Sequence, residues 1–526
     1  MKIIFTAIVL HFIFYNFSIA QRIVRVNPGY GTLNNAINND TGRDEFTVYE
    51  LQRNGFYITS GTIENKGYTL NIWAEEGEGE RPIIKPGVDQ GGLSVNSFSP
   101  RGDLFIKNLN IRNVDLLGNS LPNMIRCISD SILVRVEGCW LDSTGQAFFR
   151  FDGDWMRLKI KDSQISNSYG NGYRNSRGID DRKNNVDSVS ISNTTFYNIL
   201  TLVREGGGGT TMFYEFDHCT LYHIGKKIAI LGKTVETHFT NNLIVNSGLL
   251  GRDSLGSIME LQDDNIFRVE PLSGIYTIGL DQIFKFRHNL FYRDNAYENY
   301  PFPRSPDGDL VEFPIPIFDN HSKKLFEYFN GDETWYSKPI TFTNAPPIDT
   351  MFIHNFWYDV DADNDDRLGT DIPAPFNNEG KPFDFSYGTD EFAYTAAEGN
   401  FPLGDLNWFP DIKTKWDNGE ILTSYENNFT QSPDKVQLYQ NYPNPFNPST
   451  TISYSLTSES MVKLTIYDAL GRLVVNLINS EIRNAGIHKL IWNGKNSDGN
   501  KISNNILFIQ LEVDNKIITN KMIILK

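Results

Sequence analysis

Cysteine is nearly absent from this 526-residue chain: Cys127, Cys139 and Cys219 are the only three. No CxxC pair and no Cys/His set with zinc spacing occurs, which excludes a disulfide scaffold and a zinc-stapled fold. Basic residues are outnumbered, 48 Lys+Arg against 64 Asp+Glu, for a net charge of −16 and no Lys/Arg block. That balance excludes nonspecific nucleic-acid binding. Apolar runs of membrane length are lacking, so the chain is no polytopic helical membrane protein. Amphipathic helical periodicity is scarce, which excludes a coiled coil, and 42 Gly with 23 Pro are too few for collagen. What is present is 40% apolar and 13% aromatic residues, enough to bury several cores. At roughly 150 residues per domain, two to four domains are expected.

The N-terminus reads as an export signal over residues 1–20. Lys2 precedes an apolar run from Ile3 to Phe17, and Ser18-Ile19-Ala20 offers a small-x-small exit before Gln21. The mature chain is expected to begin near Gln21 and to work outside the inner membrane.

Beyond it, short runs of Ile, Val, Phe and Thr alternate with Asn, Asp, Ser and Gly. One pattern recurs: apolar, variable, pivot, two variable, apolar. Its pivots are Asn108, Gly138, Asp162, Asn193, His218, Asn241 and His288, with an eighth at His354. The interval lies in the twenties to low thirties until a longer inserted loop, which marks a β-solenoid. The residue two before each pivot is apolar and that four before mostly so, while Lys107, Glu137, Lys161, Ser192, Asp217, Thr240 and Arg287 in the alternate phase are polar, so the strand points alternately in and out. Asn, Asp, Gly and His are the types that tolerate a left-handed bend. A bend role is therefore the ordinary expectation for His218, His288 and His354. A further strand lies upstream of each such pair, at Met124–Ser129, Ala147–Asp152, Arg177–Arg182, Ile199–Glu205, Lys227–Lys233 and Ser257–Gln262. Three strands per coil define a right-handed parallel β-helix over residues 21–425, with long loops in 295–420. Cys139 and Cys219 then hold one inward position three coils apart, roughly 14 Å, too far for a disulfide.

After a linker at 426–435 the character changes. A Pro/Asn-rich turn leads into about six alternating strands between Thr451 and Leu525, the pattern of a small antiparallel immunoglobulin-like β-sandwich over 436–526.

With these residues in view, two resemblances follow. Residues from about 22 to 420 resemble the pectate-lyase-like β-helix superfamily of secreted polysaccharide-active proteins, whose opening coil is similar to Tyr68–Ile72 followed by Arg81–Ile84. The superfamily's lyase and hydrolase motifs are incomplete. Phe216-Asp217-His218 and Gly178-Ile179-Asp180-Asp181 match only fragments of them. The last fifth of the chain closely resembles the type A C-terminal sorting domain of the type IX secretion system of Bacteroidota-like bacteria. The matching stretches are Asn441–Asn447, Ile466–Arg472, Trp492–Gly494 and Lys521–Lys526. The resemblance implies a partner in the type IX secretion machinery and a secreted or outer-membrane-surface location.

Chemistry in a β-helix sits on an outer face or in loops, because the interior is filled. These upstream strands carry Arg126, Arg150, Arg182, Arg204 and Lys227, with Lys233 adjoining, which stacking would turn into a basic ladder on an acidic protein. Such a ladder attracts an acidic polysaccharide, and guanidinium forks suit carboxylates and sulfates. Arg126, Arg150, Arg182 and Lys233 are expected to bind substrate. Lys227, Arg204 and His223 are the candidates for neutralising a uronate and removing its proton in a β-elimination. The alternative is pairing of the arginines with Asp152, Asp180, Asp181, Glu205 and Glu260. Carboxylates at Asp359, Asp361 and Asp363 have the alternate spacing that suits calcium, without the Gly and Glu of an EF-hand loop. The functional expectation is a secreted polysaccharide lyase, or else a noncatalytic glycan-binding or adhesion protein. A monomer is expected, with no nucleic-acid partner.

Overall fold

The computed structural model describes residues 21–89, 92–93, 96–168, 176–204, 209–249, 252–253, 266–270, 272, 282–300, 311–312, 316–318, 320–329, 331–350, 383–422, 436–439, 441, 444, 446, 450–483, 486–497, 499–502, 505–514 and 516–524. The export-signal segment, the strand expected at 257–262, the pivot at His354, the acidic loop of Asp359, Asp361 and Asp363, and the linker at 426–435 lie outside them. The chain divides into two compact units, Met1–Ser424 and Tyr425–Lys526.

The first unit is a parallel β-solenoid. Its first strands stack in the order Arg22–Val26, Thr47–Leu51, Leu70–Ala74, Leu104–Lys107, Leu133–Glu137 and Met156–Lys161, each parallel to the next. The series continues through the long strands Val186–Ile199 and Thr211–Ile224 to Thr234–Thr240 and Ile283–Tyr292. Second strands form a parallel stack beside them, among them Asn110–Arg112, Trp140–Asp142 and Gln164–Ser168. Third strands form a separate seven-stranded sheet: Asn96–Phe98, Asn123–Cys127, Ala147–Phe151, Arg177–Asp180, Thr201–Arg204, Ala229–Gly232 and Phe267–Glu270. The solenoid thus begins well before Tyr68. A short helix, Thr32–Asn38, tucks Leu33 and Ile37 into its first coils.

The alternation read from the sequence is the observed one. Leu104 and Ile106, Val134 and Val136, Leu158 and Ile160, Val189 and Ile191, and Tyr214 and Phe216 are all buried. Like residues lie over like, as in the Phe216–Phe239–Phe286 stack with ring centroids 5.6 and 5.7 Å apart. Burial pushes all three cysteine thiols up, and they are free core residues.

All seven described pivots have left-handed backbone, with φ from 44° at Asn193 to 64° at Gly138. At Gly138 a Cβ would fall 2.1 Å from Asn108 Oδ1, so this coil takes the one pivot without a side chain. A second left-handed bend follows five residues later, at Ser143, Asn167, Asn198, His223 and Asn246. The residue after each pivot faces inward, and at Ser163, Asn242 and Asn289 it ties coil to coil. Asn242 Oδ1 accepts from the Cys219 amide at 2.8 Å, and Asn289 Oδ1 accepts from the Asn242 amide at 3.0 Å. These side chains satisfy amides that the bend removes from the ladder.

The outer face of the second strands is covered. Tyr197, Tyr222, Leu243, Val245 and Leu290 pack under residues of 383–422, including Phe385, Phe401 and Leu406. Asp405 anchors that cover: its carboxylate accepts from Thr195 Oγ1 at 2.7 Å, and its amide donates to Thr220 Oγ1 at 2.9 Å.

The second unit holds two antiparallel sheets around one core. One sheet joins Gln437–Leu438, Thr450–Leu456 and Gly486–Trp492, and the other Leu473–Arg483, Ser460–Asp468, Asn505–Val513 and Lys516–Ile524. Leu438, Ile452, Leu464, Trp492, Ile509 and Met522 are among its buried residues.

Candidate functional site

Register decides which charged side chains meet on the third-strand sheet. Arg126 lies opposite Arg150, Arg150 opposite Asp180, and Asp180 opposite Arg204. The row is therefore not purely basic: Asp180, not Arg182, occupies the coil between Arg150 and Arg204. Asp152, just past the end of its strand, is shared by Arg126 Nε at 2.5 Å and Arg150 Nε at 3.0 Å. Asp180 is shared by Arg177 Nη1 at 2.5 Å and Arg204 Nη1 at 3.8 Å. Burial pushes the Asp152 carboxyl up, but its two guanidinium partners hold it below the usual carboxylate range. The side chains of Arg126, Arg150 and Arg204 keep 35%, 18% and 31% of their surface exposed and meet solvent, whereas Arg177 is buried.

The remaining expected site residues fall elsewhere. Arg182 is exposed in the turn after Arg177–Asp180, with φ 54°, because the strand ends two residues earlier than its sequence suggests. Lys227 precedes its strand, which begins at Ala229; it is buried, and its carbonyl accepts from the Leu202 amide at 3.1 Å. Lys233 follows the same strand in a left-handed turn, φ 63°. His223 is the second bend of its coil, 2% exposed, with its ring tilted against Tyr222 at 4.2 Å and hydrogen-bonded with the Tyr297 hydroxyl at 3.1 Å. Burial drives its pKa down to about 3, which favours the neutral imidazole. One residue of the row was missed: Arg268, on Phe267–Glu270, lies opposite Ile230 of Ala229–Gly232. Arg177, opposite Ala147 and Thr201, is buried and lies off the row. The alternation around Phe267 was the available signal. Among the described residues, no group of three His, Cys, Asp or Glu side chains is placed to hold a metal ion.

Comparison with known families is informative at one end of the chain. Residues 440–525 match the model of the secretion system C-terminal sorting domain. The second unit is thus a type IX secretion sorting domain, and the chain is an exported β-solenoid bound for the cell surface or the extracellular space. Searches of curated proteins and of solved structures returned no match.

Proposed function

We propose that this exported solenoid holds an extended acidic polysaccharide along the outer face of its third strands and does not cleave it. The observation that carries the reading is the two-to-one sharing of carboxylates. Arg126 and Arg150 divide Asp152 between them, and Arg177 and Arg204 divide Asp180. Asp152 fixes the guanidiniums of Arg126 and Arg150 in place yet offsets only one of them, and a guanidinium has five N–H donors. At Arg126 and Arg150 the face therefore keeps positive charge and donors, pre-organised in register, on a chain of net charge −16. Arg150 and Arg204 stand two coils apart, about 10 Å, which suits acidic groups on neighbouring or alternate sugars.

Elimination needs a base as well as charge neutralisation. With His223 buried and neutral, and Lys227 buried beside a strand end, the ladder is better suited to holding a uronate than to deprotonating it. The test is incubation of the full chain with pectate, alginate, chondroitin and heparin. Retention of at least one polymer, with no new unsaturated-uronate absorbance, is the expected result. Absorbance that appears with the parent and vanishes with Lys227→Ala would replace binding by lyase activity.

A further inference from the structure

On the outer face of the first strands, among the described residues, three neighbouring cations form no ion pair. The rows of this face follow from register. Phe105 lies opposite Arg135 and Arg135 opposite Lys159; beside them Trp73 lies opposite Lys107, and Leu133 opposite Arg157. Lys107 pairs with Glu137 at 3.7 Å, and Lys161 with Asp417 at 3.7 Å. Arg135, Arg157 and Lys159 form no ion pair among the described residues, and Arg157 Nη2 donates only to the Ser131 carbonyl at 3.1 Å. Arg135 and Lys159 are exposed. The rings are held ready beside them: Arg135 lies over Phe105 at 5.1 Å, Phe105 meets Trp73 edge to face at 5.2 Å, and Lys107 lies over Trp73 at 5.8 Å. Further along the same row the polar groups satisfy one another. Ser190 bonds Glu215 at 2.5 Å, and His238 lies between Glu236 at 2.6 Å and Lys285 at 3.0 Å. The three unpaired cations thus lie on two successive coils, Leu133–Glu137 and Met156–Lys161.

We infer that Trp73, Phe105, Arg135, Arg157 and Lys159 form a second polysaccharide-binding strip, on a different face from the arginine ladder, that takes a linear acidic glycan. Arg135 and Lys159 stand one coil apart, about 4.8 Å, so successive acidic groups of a chain lying along the solenoid axis would meet them in turn. Trp73 and Phe105, at one end of the strip, offer apolar faces to sugar rings. The cations supply the attraction that the chain as a whole opposes. The glycan class rests on the function proposed above; the strip itself does not depend on the ladder. Two faces able to hold one kind of polymer would make each molecule a cross-linker, with avidity beyond either face alone.

The experiment titrates the full chain with short oligomers of galacturonate and of alginate, too short to reach both faces, and counts the sites. The parent is expected to bind two oligomers per chain. Arg135→Ala/Lys159→Ala should keep one, as should Arg150→Ala/Arg204→Ala, and the fourfold variant should keep none, with each lost site weakened by at least about tenfold. If the strip variant binds as many oligomers as the parent, the strip is not a site and the ladder reading stands. If the ladder variant alone changes nothing, the ladder reading falls and the strip stands. A parent that binds no acidic oligomer overturns both. A single-stranded oligonucleotide that competes at the strip while the glycans do not would overturn the ligand class.

Discussion

Two buried titratable residues set opposite demands on pH. His223 takes up a proton near 6.5 in the unfolded chain but resists it down to about 3 when folded. The unfolded state then binds more protons, so the stability His223 permits at neutral pH is lost as pH falls from 6.5 toward 3. Asp405 is the mirror case: burial raises its folded pKa to about 7 from 3.8, so the unfolded state releases its proton first. Its contribution is complete below 3.8 and is lost as pH rises through about 7. At about 1.4 kcal/mol per unit of separation, each is worth a few kcal/mol across its window. His223→Asn, which keeps a residue tolerant of the left-handed bend, should flatten the acid side of a plot of unfolding temperature against pH. Asp405→Asn should flatten the loss of stability between about pH 4 and neutrality. Unchanged slopes in both variants would mean that neither group is sealed as described.

Strand phase is where the sequence was most legible, because period-two alternation and left-handed pivots are local signals. Every pivot within the described residues bends as its residue type suggests. Phe216 is 2% exposed inside the Phe stack, so Phe216→Asp should cost several kcal/mol by burying an unpaired carboxylate. Alternation alone makes Asp217 an expendable outward residue, and there it misleads. Asp217 Oδ1 accepts from Thr240 Oγ1 at 2.7 Å and Asn241 Nδ2 at 2.8 Å on the next coil, and Oδ2 meets His218 Nδ1 at 3.1 Å. Asp217→Ala should therefore cost about 1–3 kcal/mol rather than a few tenths. Denaturant unfolding of the two variants checks both figures, and an Asp217→Ala chain as stable as the parent would show those bonds to be idle. The third strands were less legible. They are short, and loops of varied length precede them, so nothing local marks their ends. Arg182 and Lys227 consequently drop out of strands that the sequence extends by a residue or two.

At the scale of the whole molecule, the sequence carried the division of labour: a solenoid repeat, then an antiparallel module whose motif is long enough to name a secretion route. The candidate site was only half legible. Arg126, Arg150 and Arg204 could be placed on one face by counting, but their sharing of Asp152 and Asp180 depends on which coil faces which, and that depends on loop lengths. The same register leaves Arg135, Arg157 and Lys159 without an ion pair among the described residues, and residues 383–422 cover the second strands around Tyr197, Tyr222 and Val245. An acidic protein that leaves the cell with guanidiniums in a fixed row is suited to holding an acidic polymer by charge. The direct test is the affinity of the full chain for such a polysaccharide across a series of salt concentrations, measured for the parent and for Arg150→Ala/Arg204→Ala. Affinity should fall as salt screens the face, and the variant should bind more weakly and with a shallower salt dependence. Superimposable curves for parent and variant would contradict the account.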